Sequence, residues 1–346
     1  MKQRLAGAAR LGRWLVCAAL LAAAPTRADD EARQWLTAMN AALAARNYQG
    51  EFLHLANGHV EKLRIIHRIK DGRVAERLLN LSGSGREIIR NDAIVQCYLP
   101  AERRVLVETQ AETGNMLGTL PVFEASLEAS YRLVLGERVM VLGRPARVLA
   151  VNPRDGYRFG YRLWIDEENM MPVRTDLCDA DGRMLEQVLF TSLRVGGPIA
   201  DAAFRPDVDA SAFEWIRQGR SPPQTPADEL PWRLAQLPAG FRISSAVEQL
   251  LPGSDHPVTH LVISDGLASV SVFIEGPPAP PRQATEGQGR MGSAFAYSKV
   301  VGGHQVTAVG EVPPQTVEFI ASGVTPANPR RLGLGSTAAL PGAPAQ

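Results

Sequence analysis

The chain has 346 residues, 45% hydrophobic and 21% charged, a globular balance with enough length for two separately cored domains. Its formal charge of +1 conceals a basic leader, because residues 1–28 hold five basic residues and no acidic one, and without them the charge is −4. A mildly acidic protein lacks the basic footprint of a nucleic-acid binder, so nucleic acid is excluded as the expected partner.

In chain order, Lys2, Arg4, Arg10 and Arg13 precede an apolar run from Trp14 to Ala24, and Thr26-Arg27-Ala28 precedes the acidic pair Asp29-Asp30. That layout predicts a secretory signal peptide over residues 1–28. The run is shorter than the roughly 20 apolar residues a membrane span needs. Beyond Cys17 two cysteines remain, and in an exported protein an even count invites a disulfide. Cys97 lies on the apolar side of Val95–Leu99, whereas Cys178 shares a face with Arg174 and Asp176. Whether those faces are opposite, which would forbid the bridge, stays open at this point.

Leu36, Met39 and Leu43 predict an amphipathic helix over Glu31–Arg46, ended by Asn47. Strands follow at Tyr48–Leu55, Val60–Lys70, Arg73–Leu81, Arg86–Arg90, Ile94–Leu99 and Arg103–Val107. After a break at Gly114–Pro121, a helix is predicted over Phe123–Tyr131, then about five more strands to Val195. In one of them Tyr157, Phe159, Tyr161, Leu163 and Ile165 alternate with Arg158, Arg162 and Asp166, predicting one buried and one solvated face. Four Asp-Gly pairs, Asp71-Gly72, Asp155-Gly156, Asp181-Gly182 and Asp265-Gly266, sit between alternating stretches and predict two-residue type I′ hairpin turns. Such a meander with two helices makes a closed barrel or a strongly curved sheet wrapped over its helices.

Gly196-Gly197-Pro198 ends the sheet, so the first domain is assigned to residues 29–200. Residues 201–231, rich in proline, predict a stiff linker with a short helical patch. A smaller α/β domain follows over residues 232–325. There Leu261-Val262-Ile263 and the alternating Val270, Val272 and Ile274 flank Asp265-Gly266, Gly302-Gly303 joins two strands, and Pro313-Pro314 opens the last helix. Gly276–Pro281 reads as an exposed proline loop and residues 326–346 as a disordered tail.

No motif for catalysis emerges. Gly287-x-Gly289-x-x-Gly292 spells a dinucleotide fingerprint but lacks the preceding strand and following helix that would place a pyrophosphate, so it reads as a loop. The six histidines, His54, His59, His67, His256, His260 and His304, are scattered. His256 and His260 have the spacing of a helical metal pair, yet Pro257, Val258 and Thr259 predict an extended chain, where that spacing does not converge. Gly83-Ser84-Gly85 is a turn, and Glu167-Glu168 is solvated charge in another. No catalytic, cofactor-binding or metal-binding residue is assigned and no enzyme is expected. A hydrolase with carboxylates drawn from distant strands stays as a third reading. One stripe is sharper: Lys62, Arg64, Arg68 and Lys70 share a strand face, with Leu63, Ile65 and Ile69 on the other. It is either a surface for anionic groups such as lipid head-group phosphates, or a solvated face balanced by Glu76 and Glu87.

An ordered series of stretches resembles the RseB/MucB family of periplasmic regulators of the envelope-stress sigma factor. They are the opening helix into Asn47-Tyr48; Arg154-Asp155-Gly156-x-Arg158-Phe159-x-Tyr161; Leu163-Trp164-Ile165-Asp166 followed by Pro172-Val173-Arg174-x-Asp176-Leu177; and Asp181-Gly182-x-x-Leu185-Glu186-Gln187. Leu237-Pro238-x-Gly240-Phe241, Ser264-Asp265-Gly266-Leu267 and Gly310-Glu311-x-Pro313-Pro314-Gln315-Thr316 extend the resemblance into the second domain. It implies an α+β, mainly β protein: a LolA-like curved antiparallel half-barrel with helices, plus the smaller domain. It also implies a job, binding the periplasmic region of a single-span anti-sigma factor and shielding it from proteolysis, relieved by lipopolysaccharide or lipoprotein acyl chains. A homo-oligomer is left open. Trp232, Leu237 and Phe241 are the candidate anchors for the partner, with core packing as the competing reading. The competing function is a lipoprotein or lipid carrier of the LolA/LolB type, which would not need the second domain.

Overall fold

A computed structural model describes residues 27–109, 125–217, 224–226, 229–249, 257–276 and 286–327. The body of the expected signal peptide, the break at Gly114–Pro121, His256, all but the first residue of the proline loop and nearly all of the tail lie outside the described residues.

The chain enters through α1 (Arg27–Ala45), in which Ala32, Leu36, Met39, Ala42 and Leu43 form one buried stripe at helical spacing. Twelve strands make the first sheet: β1 (Tyr48–Ala56), β2 (His59–Lys70), β3 (Arg73–Asn80), β4 (Glu87–Asn91), β5 (Ile94–Leu99), β6 (Arg104–Thr109), β7 (Tyr131–Val141), β8 (Arg144–Pro153), β9 (Gly160–Asp166), β10 (Pro172–Cys178), β11 (Met184–Val195) and β12 (Glu214–Arg217). Their spatial order is β12-β6-β5-β4-β3-β2-β1-β11-β10-β9-β8-β7. Two antiparallel meanders, β1 to β6 and β7 to β11, are therefore joined along β1 and β11, with Tyr48 opposite Val195. Alternation sends Leu63, Ile65, Leu149, Val151, Leu163 and Ile165 to the inner face, where they meet the α1 stripe in one core.

Residues 199–217 fold back over the outer face. Ile199 and Phe204 pack on Ile66 and Ala75, while Ala210, Val208 and Phe213 cover Ile89, Tyr98 and Val105. β12 then pairs in parallel with β6. Arg77 and Glu87, both buried, pin this segment: Arg77 donates to Ala203 O and Glu87 accepts from the Asp207 amide.

The second domain holds a two-stranded ribbon of β13 (Trp232–Leu234) and β20 (Val324–Pro326), and a six-stranded sheet. That sheet contains β14 (Arg242–Gln249), β15 (Val258–Ser264), β16 (Ser269–Glu275), β17 (Gly287–Met291), β18 (Ala294–Val301) and β19 (His304–Gly310), in the order β14-β15-β16-β19-β18-β17. Helix α2 (Pro314–Gly323) packs through Val317, Ile320 and Ala321 against Val270, Val272, Val306 and Ala308.

Three expectations are corrected. Of the helix expected over Phe123–Tyr131, the described part, from residue 125 on, is a short 3-10 turn at Ala125–Ala129, because Tyr131 and Leu133 alternate into the core as the start of β7. The face assigned to solvent around β9 is wet only at Arg162, which is exposed, whereas Arg158 and Asp166 are buried. Of the four Asp-Gly pairs only Asp71-Gly72 has positive φ at both residues, 53° and 74°. Asp155 and Asp265 instead spend their side chains on Arg158, Asp155 from the same loop and Asp265 from the second domain, as described below. Other type I′ positions are Asn57-Gly58, Gly302-Gly303 and Leu142-Gly143.

Leu142 is the odd member of that set, a branched residue at φ 53° and 43% exposed in the β7–β8 turn. Left-handed backbone costs such a residue roughly 1 kcal/mol that asparagine largely escapes. Leu142→Asn should therefore stabilise the protein by about 0.5–1 kcal/mol, read as a higher denaturant midpoint with an unchanged slope.

Candidate functional site at the junction of the two sheets

The turn between β15 and β16 reaches into the first domain. Leu267 packs against the first core, and Gly266 lies against Leu127. Asp265 is held rigidly by its own turn, since Oδ1 accepts the amides of Leu267 at 2.9 Å and Ala268 at 2.8 Å. Oδ2 faces the first domain and accepts from the Tyr131 hydroxyl at 3.1 Å and from Arg158 Nε. Arg158 is 1% exposed, and its remaining nitrogens donate to Asp155 Oδ2 and to the Ala239 carbonyl of the second domain. The guanidinium lies 4.7 Å from the Phe241 ring centroid. Burial alone would lower its pKa, but Asp265 and Asp155 outweigh it and hold the pKa above its usual value. Burial pushes the Tyr131 phenol up, and the Asp265 charge adds to it. Gly240 makes the approach feasible: its φ is +83°, and a Cβ there would lie 2.7 Å from Ser130 Oγ and 3.1 Å from Arg158 Nη2.

A second line of contact runs along α2. Gln315 Nε2 donates to Gly156 O at 2.7 Å and Thr316 Oγ1 to Tyr157 O at 2.9 Å. Tyr157 packs against Phe319 with centroids 5.3 Å apart, and Phe159 against Phe295 at 6.3 Å. Gly156, Tyr157, Gln315, Glu318, Phe319 and Ser322 line an open cleft of about 650 Å³ here.

A third contact is polar. His54 on β1 lies 2.7 Å from Glu186 on β11, and Ser293 of the second domain touches Glu186 at 2.9 Å and Glu311 at 2.5 Å. Hydrogen bonding to Glu186 raises the His54 pKa. Burial pushes Glu186 upward, but the bonds from His54 and Ser293 prevail and its pKa falls below the usual value. Glu311 lacks the histidine, and burial raises it.

The stretches that meet here identify the lineage. The sequence matches the MucB/RseB N-terminal domain over residues 31–208 and the MucB/RseB C-terminal domain over residues 226–325. The chain belongs to the MucB/RseB family. It is 33% identical over 319 residues to the sigma factor AlgU regulatory protein MucB of Pseudomonas aeruginosa, covering 90% of this chain and 96% of the relative. With the sigma-E factor regulatory protein RseB of Escherichia coli K12 it shares 28% identity over 316 residues, covering 90% and 95%. Among solved structures, MucB in the complex of Pseudomonas aeruginosa MucA/MucB superposes with a TM-score of 0.68 at 31% identity, covering 86% of this chain and 99% of that one. The curved mainly-β first domain and smaller second domain are thus the MucB/RseB architecture.

The candidate residues fall in different places. Trp232 is buried, edge-on to His304 at 4.9 Å, and Phe241 is buried beneath Arg158. Leu237 is half-buried against the second core. On β2 the basic side chains share one face as expected, but their counter-charges differ from those expected. Lys62 and Arg64 both pair with Glu51, whose pKa their hydrogen bonds lower, and Arg68 pairs with Asp201 over the Phe204 ring. Lys70 is exposed. Glu76 is buried with His67 and Arg90 on the other face, and Glu87 is taken by Arg77. Cys97 and Cys178 are both free thiols, and burial raises both pKa values.

Arg158, Asp265, Glu186 and Glu311 were not singled out as site residues by pattern, since a charged residue alternating with aromatics reads as a solvated face. Arg158→Ala would leave Asp265 buried without its cation, a loss of about 3–5 kcal/mol. Calorimetry should show one unfolding transition in the wild type and two in the variant, with Arg158→Lys recovering little because an ammonium cannot span three acceptors.

Proposed function

We propose that this protein is a periplasmic, non-enzymatic regulator that binds the periplasmic region of a membrane-spanning anti-sigma factor and shields it from the protease that would start its destruction. It thereby restrains the envelope-stress sigma factor. The supporting observation is that both MucB/RseB domains occur in one chain whose fold follows that of MucB in its complex with MucA. A simple carrier of lipids or lipoproteins has no use for the second domain, and here that domain is locked to the first through buried polar contacts.

On this reading the junction is where a partner segment feels both domains. The rim beside Leu237 and the cleft floored by Tyr157 and Phe319 offer the apolar contact, while Trp232 and Phe241 support it from the core. Lipid-type amphiphiles relieve the restraint. A buried acyl chain contributes about 0.8 kcal/mol per CH₂, so a short chain competes with a protein contact. By reciprocity the effector and the partner must weaken each other's binding.

Titration calorimetry of the protein without residues 1–28 against the isolated periplasmic region of the anti-sigma factor should give saturable binding. Phe319→Ala should weaken that binding about tenfold if the cleft carries an anchor. Adding a lipopolysaccharide fragment to the preformed complex should lower the affinity. Absence of binding overturns the regulator reading, and an affinity unchanged at saturating fragment overturns the effector mechanism alone.

A further inference from the structure

The contact at Ser293 contains one hydrogen too few. A serine hydroxyl has a single proton to donate, yet Oγ lies within hydrogen-bond distance of carboxyl oxygens on both Glu186 and Glu311. If both carboxyls were ionised, one of the two contacts would be lone pair against lone pair. The two carboxyls are therefore brought together on one hydroxyl at the domain boundary, and a proton on one of them resolves the conflict.

The surroundings say which one. Glu186 faces His54 across β1, with Glu61 of β2 another 4.0 Å from the far side of that imidazole. Tyr161 of β9 and Thr175 of β10 line a cavity of about 10 Å³ with Glu186 and Glu311, and that is room for one water. Thr175 Oγ1, on a residue 4% exposed, has no hydrogen-bond partner among the described residues. Tyr161 keeps its proton, its phenol pushed up by burial and by the nearby carboxylates. With His54 serving Glu186, Glu311 is the carboxyl left to hold the proton. Among the described residues no group of three or more His, Cys, Asp or Glu is placed to hold a metal ion. The residues divide between domains: His54, Tyr161, Thr175 and Glu186 belong to the first sheet, Ser293 and Glu311 to the second domain.

We propose that a single proton shared between Glu186 and Glu311 latches the two domains at this edge, and that its loss as pH rises opens the junction there. Ionising Glu311 sets a second negative charge against Glu186 in a site with little water to screen it. The direction follows from the bound protons. Closed, Glu311 retains a proton that it gives up in the open state, so closure is favoured in acid and is lost as pH rises through its raised pKa. His54, also raised, acts in the same direction, because its positive charge beside Glu186 is lost on the same side. Glu186, lowered, limits the latch at the acid end, where its protonation removes the pair with His54. Arg158, whose pKa Asp265 and Asp155 hold above its usual value, keeps its charge across this range, and its contact with Asp265 still joins the domains when this edge opens.

Small-angle scattering of the protein without residues 1–28, taken from pH 5 to pH 9, reads the opening directly. The radius of gyration should rise with pH in the wild type and stay at its acid value in Glu311→Gln, whose amide is neutral at every pH and still donates to Glu186. Carbon-13 titration should show a glutamate carboxyl that changes above the usual value of about 4 and is missing from Glu311→Gln, distinct from buried Glu87, which is also raised and stays in the variant. A wild-type radius that does not change with pH, an equal rise in Glu311→Gln, or glutamates that all titrate in the ordinary range would each overturn the latch. If circular dichroism shows Glu311→Gln misfolded, Glu186→Gln carries the same test, since removing either charge should flatten the profile.

Discussion

A guanidinium taken out of water must find acceptors for its N–H groups, and each of the three nitrogens of Arg158 finds one where the two domains meet. Asp155 comes from its own loop, whereas Asp265 and the Ala239 carbonyl come from two separate segments of the second domain. Neither domain alone can satisfy it. Pulling the domains apart therefore leaves Arg158 with Asp155 alone on one side and strands the buried Asp265 carboxylate on the other. The neighbouring residues are arranged to keep that geometry. Asp265 is fixed by two amides of its turn, and Gly240 supplies a backbone that no side chain would permit so close to Nη2.

The stretches that resemble the family are scattered in sequence and assembled in space. Arg154 to Phe159, Leu185 to Gln187, Leu237 to Phe241, Ser264 to Leu267 and Glu311 to Thr316 all contribute side chains to the junction. What reads along the chain as a signature of lineage is, in three dimensions, the surface by which one domain recognises the other. The basic face of β2, by contrast, is neutralised locally by Glu51 and Asp201.

The regular parts of the fold were legible because the signals are local. The α1 stripe and the strands β1 to β6 follow from spacing, and their ends differ from expectation by a residue or two at most places. What was not legible depends on contacts between residues far apart in sequence. Arg158 obeys the alternation that marks a wet face, and it takes Asp265, 107 residues away, and the Ala239 carbonyl, 81 away, together with neighbouring Asp155, to make burying it tolerable. Asp155 and Asp265 carry the letters of a hairpin turn, but their carboxylates are ligands for that arginine. The same holds for Glu186 and Glu311, ordinary surface residues by type, whose meaning comes from Ser293 standing between them. The counter-charges on β2 were misassigned for a related reason: register puts Glu76 opposite His67, on the inner face, while Glu51 on β1 faces Arg64.

The pairing of β1 with β11 has a kinetic consequence. Every other antiparallel neighbour in the first sheet is joined by a short connection or lies next in the chain, but Tyr48 waits for Val195. A chain made from its N-terminus completes the β1 to β6 meander long before its missing neighbour exists, so the outer hydrogen-bonding edge of Tyr48–Ala56 stands open during synthesis. Closing that seam is the slow, long-range step expected of the first domain, and until it is done the exposed edge is a place where a second chain, a chaperone or a protease can take hold.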